Sequence, residues 1–486
     1  MPWNRRDILK LSGGALLAGV PSGSALAQDE PLSQAADYTI RIGTGLIELA
    51  PDRIVSTTTY NGQFPGPLLR FTEGREATVE IHNDTDTPEQ VHWHGQHVLA
   101  DVDGAAEERT PYIPAHGMRR IAFMPRPAGL RFYHTHVLAG ADLKRGLYTA
   151  QAGPVYIDPR REPGRYDREV FLTLKEFEPA FSRGGDMAMD FLAPSTPDKG
   201  LKERGESAMR ASLARGMPHG FEVGYSLFSI NGRMLGHGEP VRVREGERVL
   251  FHVINASAGE IRSLALPGHS FTVIALDGNP VPTPVPVPVL WLGTAERISA
   301  IVEMNHPGIW VLGDLSDDDR GNGMGIVVEY ANATGKPQWA TPKPFKWDYR
   351  RFGKADAARE PDETIDMVFA KDNAADHGFN RWTINGTAFS TEKMEPMFHL
   401  REGGRYRLHM RNASDDIHPI HLHRHSFELT KIAGKPTSGV VKDVAMLNGY
   451  QDIDVDFTAD NPGLTLFHCH QQLHMDFGFM ALFDYV

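Results

Sequence analysis

Three stretches of this 486-residue chain align on one another without gaps: EGREATVEIHN (Glu73 to Asn83), EGERVLFHVIN (Glu245 to Asn255) and EGGRYRLHMRN (Glu402 to Asn412). An Asn-Gly pair precedes each, at Asn61-Gly62, Asn231-Gly232 and Asn385-Gly386. That dipeptide turns a chain between two strands. A further set, AGLRFYHTH, PGIWVLGDL and PGLTLFHCH, follows each, opened by Gly129, Gly308 and Gly463. Recurrence on this scale restricts the fold to three copies of one module. Runs such as Thr78 to Ile81 and Tyr406 to Met410 alternate as strands do, and 48 Gly and 34 Pro supply many breaks between them. Each copy is therefore predicted to be a β-sandwich or barrel of about 120 to 170 residues. Two segments depart from this: Lys199 to Gly216 reads as a helix inserted early in the second copy, and Thr341 to Glu363 as the linker into the third.

The N-terminus is of another kind. NRRDILK (Asn4 to Lys10) precedes the apolar LSGGALLAGV and the small-residue pattern Ala25-Leu26-Ala27, which resembles a twin-arginine export signal. The apolar run is too short to span a bilayer. Residues 1–27 are thus expected to be a signal peptide used by the Tat translocase, with a periplasmic or secreted mature chain starting near Gln28 and no membrane span. A formal charge of -12 without a long Lys/Arg run argues against a nucleic-acid or anionic-membrane surface.

An exported chain with one cysteine has no intramolecular disulfide. That cysteine, Cys469, stands in TLFHCHQQLH, between His468 and His470 and five residues before His474. Three other places repeat the His-x-His pattern: His92 and His94, His134 and His136, His421 and His423. On a strand, residues i and i+2 share a face. Each pair therefore presents two imidazoles side by side, and four pairs make eight ligands suited to a cluster of imidazole-binding metal ions. The second copy has Gly313-Asp314-Leu315 at the equivalent position, so the cluster is expected between the first and third copies. By the same alternation Cys469 faces away from His468 and His470. With His418 and His474 it makes a His2Cys set, the ligand type of a blue-copper electron-transfer site. His97, His116, His252, His409 and His425 are assigned no role.

The motifs HWHG, YHTH, HPIHLH and HCHQQLH together resemble the four copper signatures of the multicopper oxidases, a family of laccases, bilirubin oxidases, ferroxidases and cuprous oxidases. The likeness runs over roughly residues 38–486. It implies an all-β chain of three consecutive cupredoxin-like Greek-key β-sandwich domains, at residues 35–160, 161–340 and 341–486. It implies four copper ions: a type 1 ion on His418, Cys469 and His474, with Phe479 at the axial position; a type 2 ion on His92 and His421; and a type 3 pair on His94, His134, His136, His423, His468 and His470. Electrons would enter from a reductant at type 1 and pass to dioxygen, forming water. Asp103, in DVDGAA, matches a family carboxylate that helps supply protons, which this reaction consumes. Met475 departs from the glutamate that several bacterial cuprous oxidases carry after their last histidine.

Phe479 cannot coordinate, which implies a laccase-like oxidase of phenols or aromatic amines. Two features point instead to metal-ion substrates. Met187, Met189, Met209, Met217 and His219 suit Cu(I), and Asp415 and Asp416 stand where they would guide Fe(II). A non-catalytic scaffold of the same fold is the alternative from another class. The chain is expected to act as a monomer.

Overall fold

The three aligned stretches become equivalent strands, Ala77–Asn83, Arg248–Asn255 and Arg405–Asn412. Each lies parallel to the first long strand of its copy, namely Tyr38–Ala50, Arg168–Ser182 and Glu363–Asp376. Each is also antiparallel to a later one: Met118–Phe123, Arg297–Glu303 and Asp452–Thr458. In this computed structural model residues 35–160, 164–182, 191–216, 219–356 and 358–486 are described; the expected signal peptide lies outside them.

Two asparagines explain why the repeat keeps its spacing. At each Asn-Gly pair both residues have positive φ, with Asn61, Asn231 and Asn385 at 55°, 55° and 52°, as the tight hairpin turn requires. Their carboxamides also reach back to the first strand. Each accepts one main-chain N–H, from Arg41, Thr173 and Val368, and donates to one carbonyl, of Thr39, Phe171 and Asp366. The asparagine that closes each aligned stretch is fully buried. Asn255 Nδ2 donates to the carbonyls of Glu260 and Leu292, and its Oδ1 accepts from Ser257 N–H; Asn83 and Asn412 make the corresponding bonds. No aliphatic side chain can supply both a donor and an acceptor here.

The first copy is a sandwich of two four-stranded sheets, and the third packs a six-stranded sheet against a five-stranded one. The second has a six-stranded sheet and two smaller ones. These are three cupredoxin-like domains. Where the first and third copies carry His-x-His, the second uses Asp314 to accept from Ser263 N–H and Oγ–H, so hydrogen bonds within the copy replace ligands.

The segment expected as a linker sends three side chains into the core. Trp347 and Phe352 are wholly buried and Tyr349 nearly so, in one apolar cluster that is continuous through the second and third copies. The helix Lys199–Ala214 forms as predicted, with the Asp198 carboxylate capping Leu201 N–H. It packs on the third copy's strand Glu363–Asp376, and Gly205 lies against the Ala413 carbonyl, where a β-carbon would clash. Met209 is half-buried on this helix and His219 is exposed; Met187, Met189 and Met217 lie outside the described residues.

Removing a buried hydrogen-bonding side chain strands its partners, at about 1–3 kcal/mol for each group left unsatisfied. Asn255→Ala is therefore expected to lower the urea midpoint of the chain markedly. A midpoint equal to that of the parent would contradict the role given to the repeated asparagine.

Candidate metal centre

Strand His418–Leu422 lies between Val444–Leu447 and Thr465–Cys469, with His421 opposite His468 and Ile420 opposite Cys469. In the first copy His92–His94 pairs with Gly129–His134, His92 facing His134. Because side chains alternate, each strand presents imidazoles on one face, and the two copies bring eight rings together. His94 stacks on His421 at 3.8 Å between centroids, and His92 on His423 at 4.0 Å. Ring nitrogens fall into groups within 4.8 Å: His92, His94 and His421; His94, His134 and His470; His136, His423 and His468.

A neutral imidazole has one N–H and one lone pair, and most of these rings spend the N–H outwards. His92, His134, His421 and His468 donate from Nδ1 to the carbonyls of Asp103, Thr135, Asp443 and Cys469, at 2.7–2.9 Å. His423 Nδ1 donates to Asp103 Oδ2 at 2.8 Å, and His94 Nε2 to Asp443 Oδ1 at 3.1 Å. The other nitrogens turn inward and face one another. His423 Nε2 is 3.0 Å from His468 Nε2, and His94 Nδ1 is 3.3 Å from His134 Nε2. His92 Nε2, His421 Nε2 and both nitrogens of His136 and His470 have no hydrogen-bond partner among the described residues.

Burial, reinforced by the neighbouring imidazoles, holds His94, His134, His136, His421, His423 and His470 well below the ordinary histidine range. The same burial takes His468 to about 3. At neutral pH these rings are uncharged. A set of buried lone pairs aimed at one another is repulsive and leaves acceptors unmet, and transition-metal ions that accept nitrogen ligands remove both problems. The residues fit such ions.

The second set is smaller. His418 Nδ1 and His474 Nδ1 each lie 3.6 Å from Cys469 Sγ. His418 Nε2 donates to Ser414 Oγ at 2.9 Å, which in turn donates to Asn412 Oδ1 at 2.8 Å, so the buried asparagine of the repeat also aims this ring. Burial pushes the thiol of Cys469 up and His474 down to about 4. The Phe479 ring lies 4.8 Å from that of His418, and Trp382 covers His474 at 4.2 Å. Met480 turns the other way, into a cluster with Ala105, Leu466 and Met475.

A cavity of about 180 Å³ opens beside His474, lined among others by Tyr148, Tyr225, Glu222, Glu260 and Asp416. Glu222 Oε2 is 3.9 Å from His474 Nε2. Asp415 and Asp416 are not free loop carboxylates: Lys371 Nζ binds them at 2.8 and 2.6 Å. Asp103 is wholly buried at the end of a short helical turn, held there by Gly104, whose φ of 96° and contact with the Val91 carbonyl exclude a side chain.

Sequence reasoning missed Asp443, Ser414, Glu222 and also Glu107, a buried carboxylate 3.7 Å from His136 Nδ1. None belongs to a motif with a fixed spacing. The histidines assigned no role are bound elsewhere, His97 to Ser426, His116 to Asp86, His252 to Ser299, His409 to Asp454 and His425 to Tyr485.

Family models described as multicopper oxidase match residues 45–162, 204–332 and 360–486. Multicopper oxidase MmcO of Mycobacterium tuberculosis is 32% identical over 97% of this chain and 96% of its own. Laccase-2 of Fomitopsis schrenkii is 23% identical over 87% of this chain and 84% of its own. A crystal structure of a multi-copper oxidase from Pseudomonas thermotolerans covers 93% of this chain and 100% of its own, with a TM-score of 0.67 and 24% identity.

Histidines with depressed folded-state pKa values cost stability as pH falls. The unfolded chain takes up a proton below about 6.5, whereas the folded chain does not until about 4 for His474 and about 3 for His468. The unfolded state thus binds more protons in that window, and stability drops with falling pH. The unfolding free energy of the metal-free chain should decline from pH 7 to pH 4, by up to about 1.4 kcal/mol per pH unit for each such imidazole, and the denaturant midpoint should fall with it. A flat midpoint would contradict the buried, neutral rings.

Proposed function

The chain belongs to the multicopper oxidase family, an oxidoreductase with oxygen as acceptor, and we propose that it is laccase-like, oxidising phenols or aromatic amines one electron at a time. His418, Cys469 and His474 would hold a type 1 copper, and Phe479, packed against His418, offers it no donor atom. His92 and His421 would hold a type 2 copper, and His94, His134, His136, His423, His468 and His470 a type 3 pair. When bound, copper supplies the one-electron chemistry that links the reductant to dioxygen, with four electrons and four protons for each dioxygen made into two waters.

The observation that carries the substrate reading is the cavity beside His474, where Tyr148 and Tyr225 form walls for a ring and Glu222 offers an acceptor for its hydroxyl or amine. Trp382 and Phe479 keep water from the thiolate and the two rings, and a dry site without an axial donor supports a high potential. Cys469 is bonded through the main chain to His468 and His470, a short path between the two sets. Asp103 holds His423 through Oδ2, while its Oδ1 has no hydrogen-bond partner among the described residues; in this reading Oδ1 supplies protons that the reduction of dioxygen to water consumes. A second reading, oxidation of Cu(I) or Fe(II), is favoured by the three carboxylates Glu222, Glu260 and Asp416 in the same cavity, although Lys371 already neutralises Asp416.

We further propose export through the twin-arginine pathway to the periplasm or beyond, domain limits at 35–160, 161–340 and 341–486, and a monomeric mature chain.

Oxygen uptake by the copper-loaded protein with a phenol, Fe(II) or Cu(I) as reductant tests both readings. Four phenols should be oxidised per dioxygen, and Asp103→Asn should slow turnover by about 10²–10⁴-fold while keeping the blue colour. Faster uptake with either metal ion than with any phenol would replace the first reading by the second. Undiminished turnover in Asp103→Asn would remove its proton role.

A further inference from the structure

The middle copy gives no imidazole to either set, yet one of its side chains grips the residue that steadies two of them. Arg297 is wholly buried, and its Nη1 and Nη2 donate to Asp443 Oδ1 and Oδ2, each at 2.6 Å. A two-pronged contact of this kind fixes the plane of a carboxylate. Asp443 Oδ1 also accepts from His94 Nε2 at 3.1 Å, and the Asp443 carbonyl accepts from His421 Nδ1 at 2.7 Å. Arg131 of the first copy adds a third contact at 3.3 Å. The main chain is pinned as well: Asp277 Oδ2 accepts from the N–H groups of Asp443 and Val444, and its Oδ1 from that of Arg297. A side chain in place of Gly95, next to His94, would strike Arg297 and Asp443 at 2.5 Å.

Stability alone is a poor reason for such a network, because buried ion pairs often do no better than apolar packing of the same volume. Orientation is a better one. His94 turns Nδ1 into the cluster, whereas His92, His134, His421, His423 and His468 bond outwards through Nδ1 and turn Nε2 in. The bond from Asp443 to Nε2 selects that opposite direction, and without it the ring is free to swing its lone pair away.

We propose that Asp443, braced by Arg297 of the middle copy, is a positioning residue that sets the tautomer and direction of His94 and His421, so that the middle copy helps to hold copper in the histidine cluster. This rests on the copper assignments proposed above. The test is copper retention by the full-length, copper-loaded protein titrated with a Cu(I) chelator under reducing conditions, read with elemental analysis and the blue absorbance. Asp443→Ala and Arg297→Lys are expected to bind the cluster copper about 10- to 100-fold more weakly, with the blue absorbance per chain unchanged. Asp443→Asn, which keeps an acceptor oxygen for His94, should lose less than Asp443→Ala. Retention equal to the parent in Asp443→Ala overturns the proposal. So does parallel loss of blue and cluster copper, or failure of both Asp443→Asn and Arg297→Lys to fold, since each would make the network a support of the fold only. A parent that is itself colourless and copper-poor would overturn the underlying copper assignments as well.

Discussion

Everything in this molecule turns on the placing of uncharged imidazoles in a dry interior so that most have one nitrogen bonded outwards and one turned in. Water would relax such an arrangement by hydrating the lone pairs; burial prevents this and keeps the rings deprotonated. The protein therefore bears the cost of unmet acceptors in advance, and copper ions are what relieve it. Catalytically the gain is rigidity, because ligands already in place need little reorganisation when an electron arrives.

The fold meets this demand by reusing one module. The asparagine that closes the repeated strand is a turn-holder in all three copies, and in the third it also directs Ser414 and through it His418. The second copy has exchanged ligands for Asp314 and Ser263 and serves as scaffold, its Arg297 reaching the boundary between the other two. In this arrangement the first and third copies present the rings, and Arg297 of the middle copy bonds Asp443 beside them.

Much of this was legible in the sequence. His-x-His on an extended strand is a geometric statement, since period-two alternation fixes both which rings share a face and that Cys469 points away from its neighbours. The helix from Lys199 was readable in the sequence, while its Asp198 cap is a feature of the structure. Other features depend on contacts between distant segments and leave no local pattern. Asp443 lies in the ordinary run VVKDVAML, and its partners are 146 and 349 residues away. Lys371 claims Asp415 and Asp416 from 44 and 45 residues upstream, so two carboxylates that read as a guide for Fe(II) are part of an ion triad. The supposed linker carries Trp347 and Phe352 into the core because apolar burial outweighed its proline-rich start. Phe479 lies against the His418 ring, and alternation sends its neighbour Met480 to the opposite side.

Anomalous diffraction at the copper edge from crystals of the loaded protein measures the arrangement most directly. One peak is expected between Cys469, His418 and His474, and three more among the eight paired imidazoles. A map without density among those eight rings, or with copper bound instead at the carboxylates beside His474 alone, would contradict it.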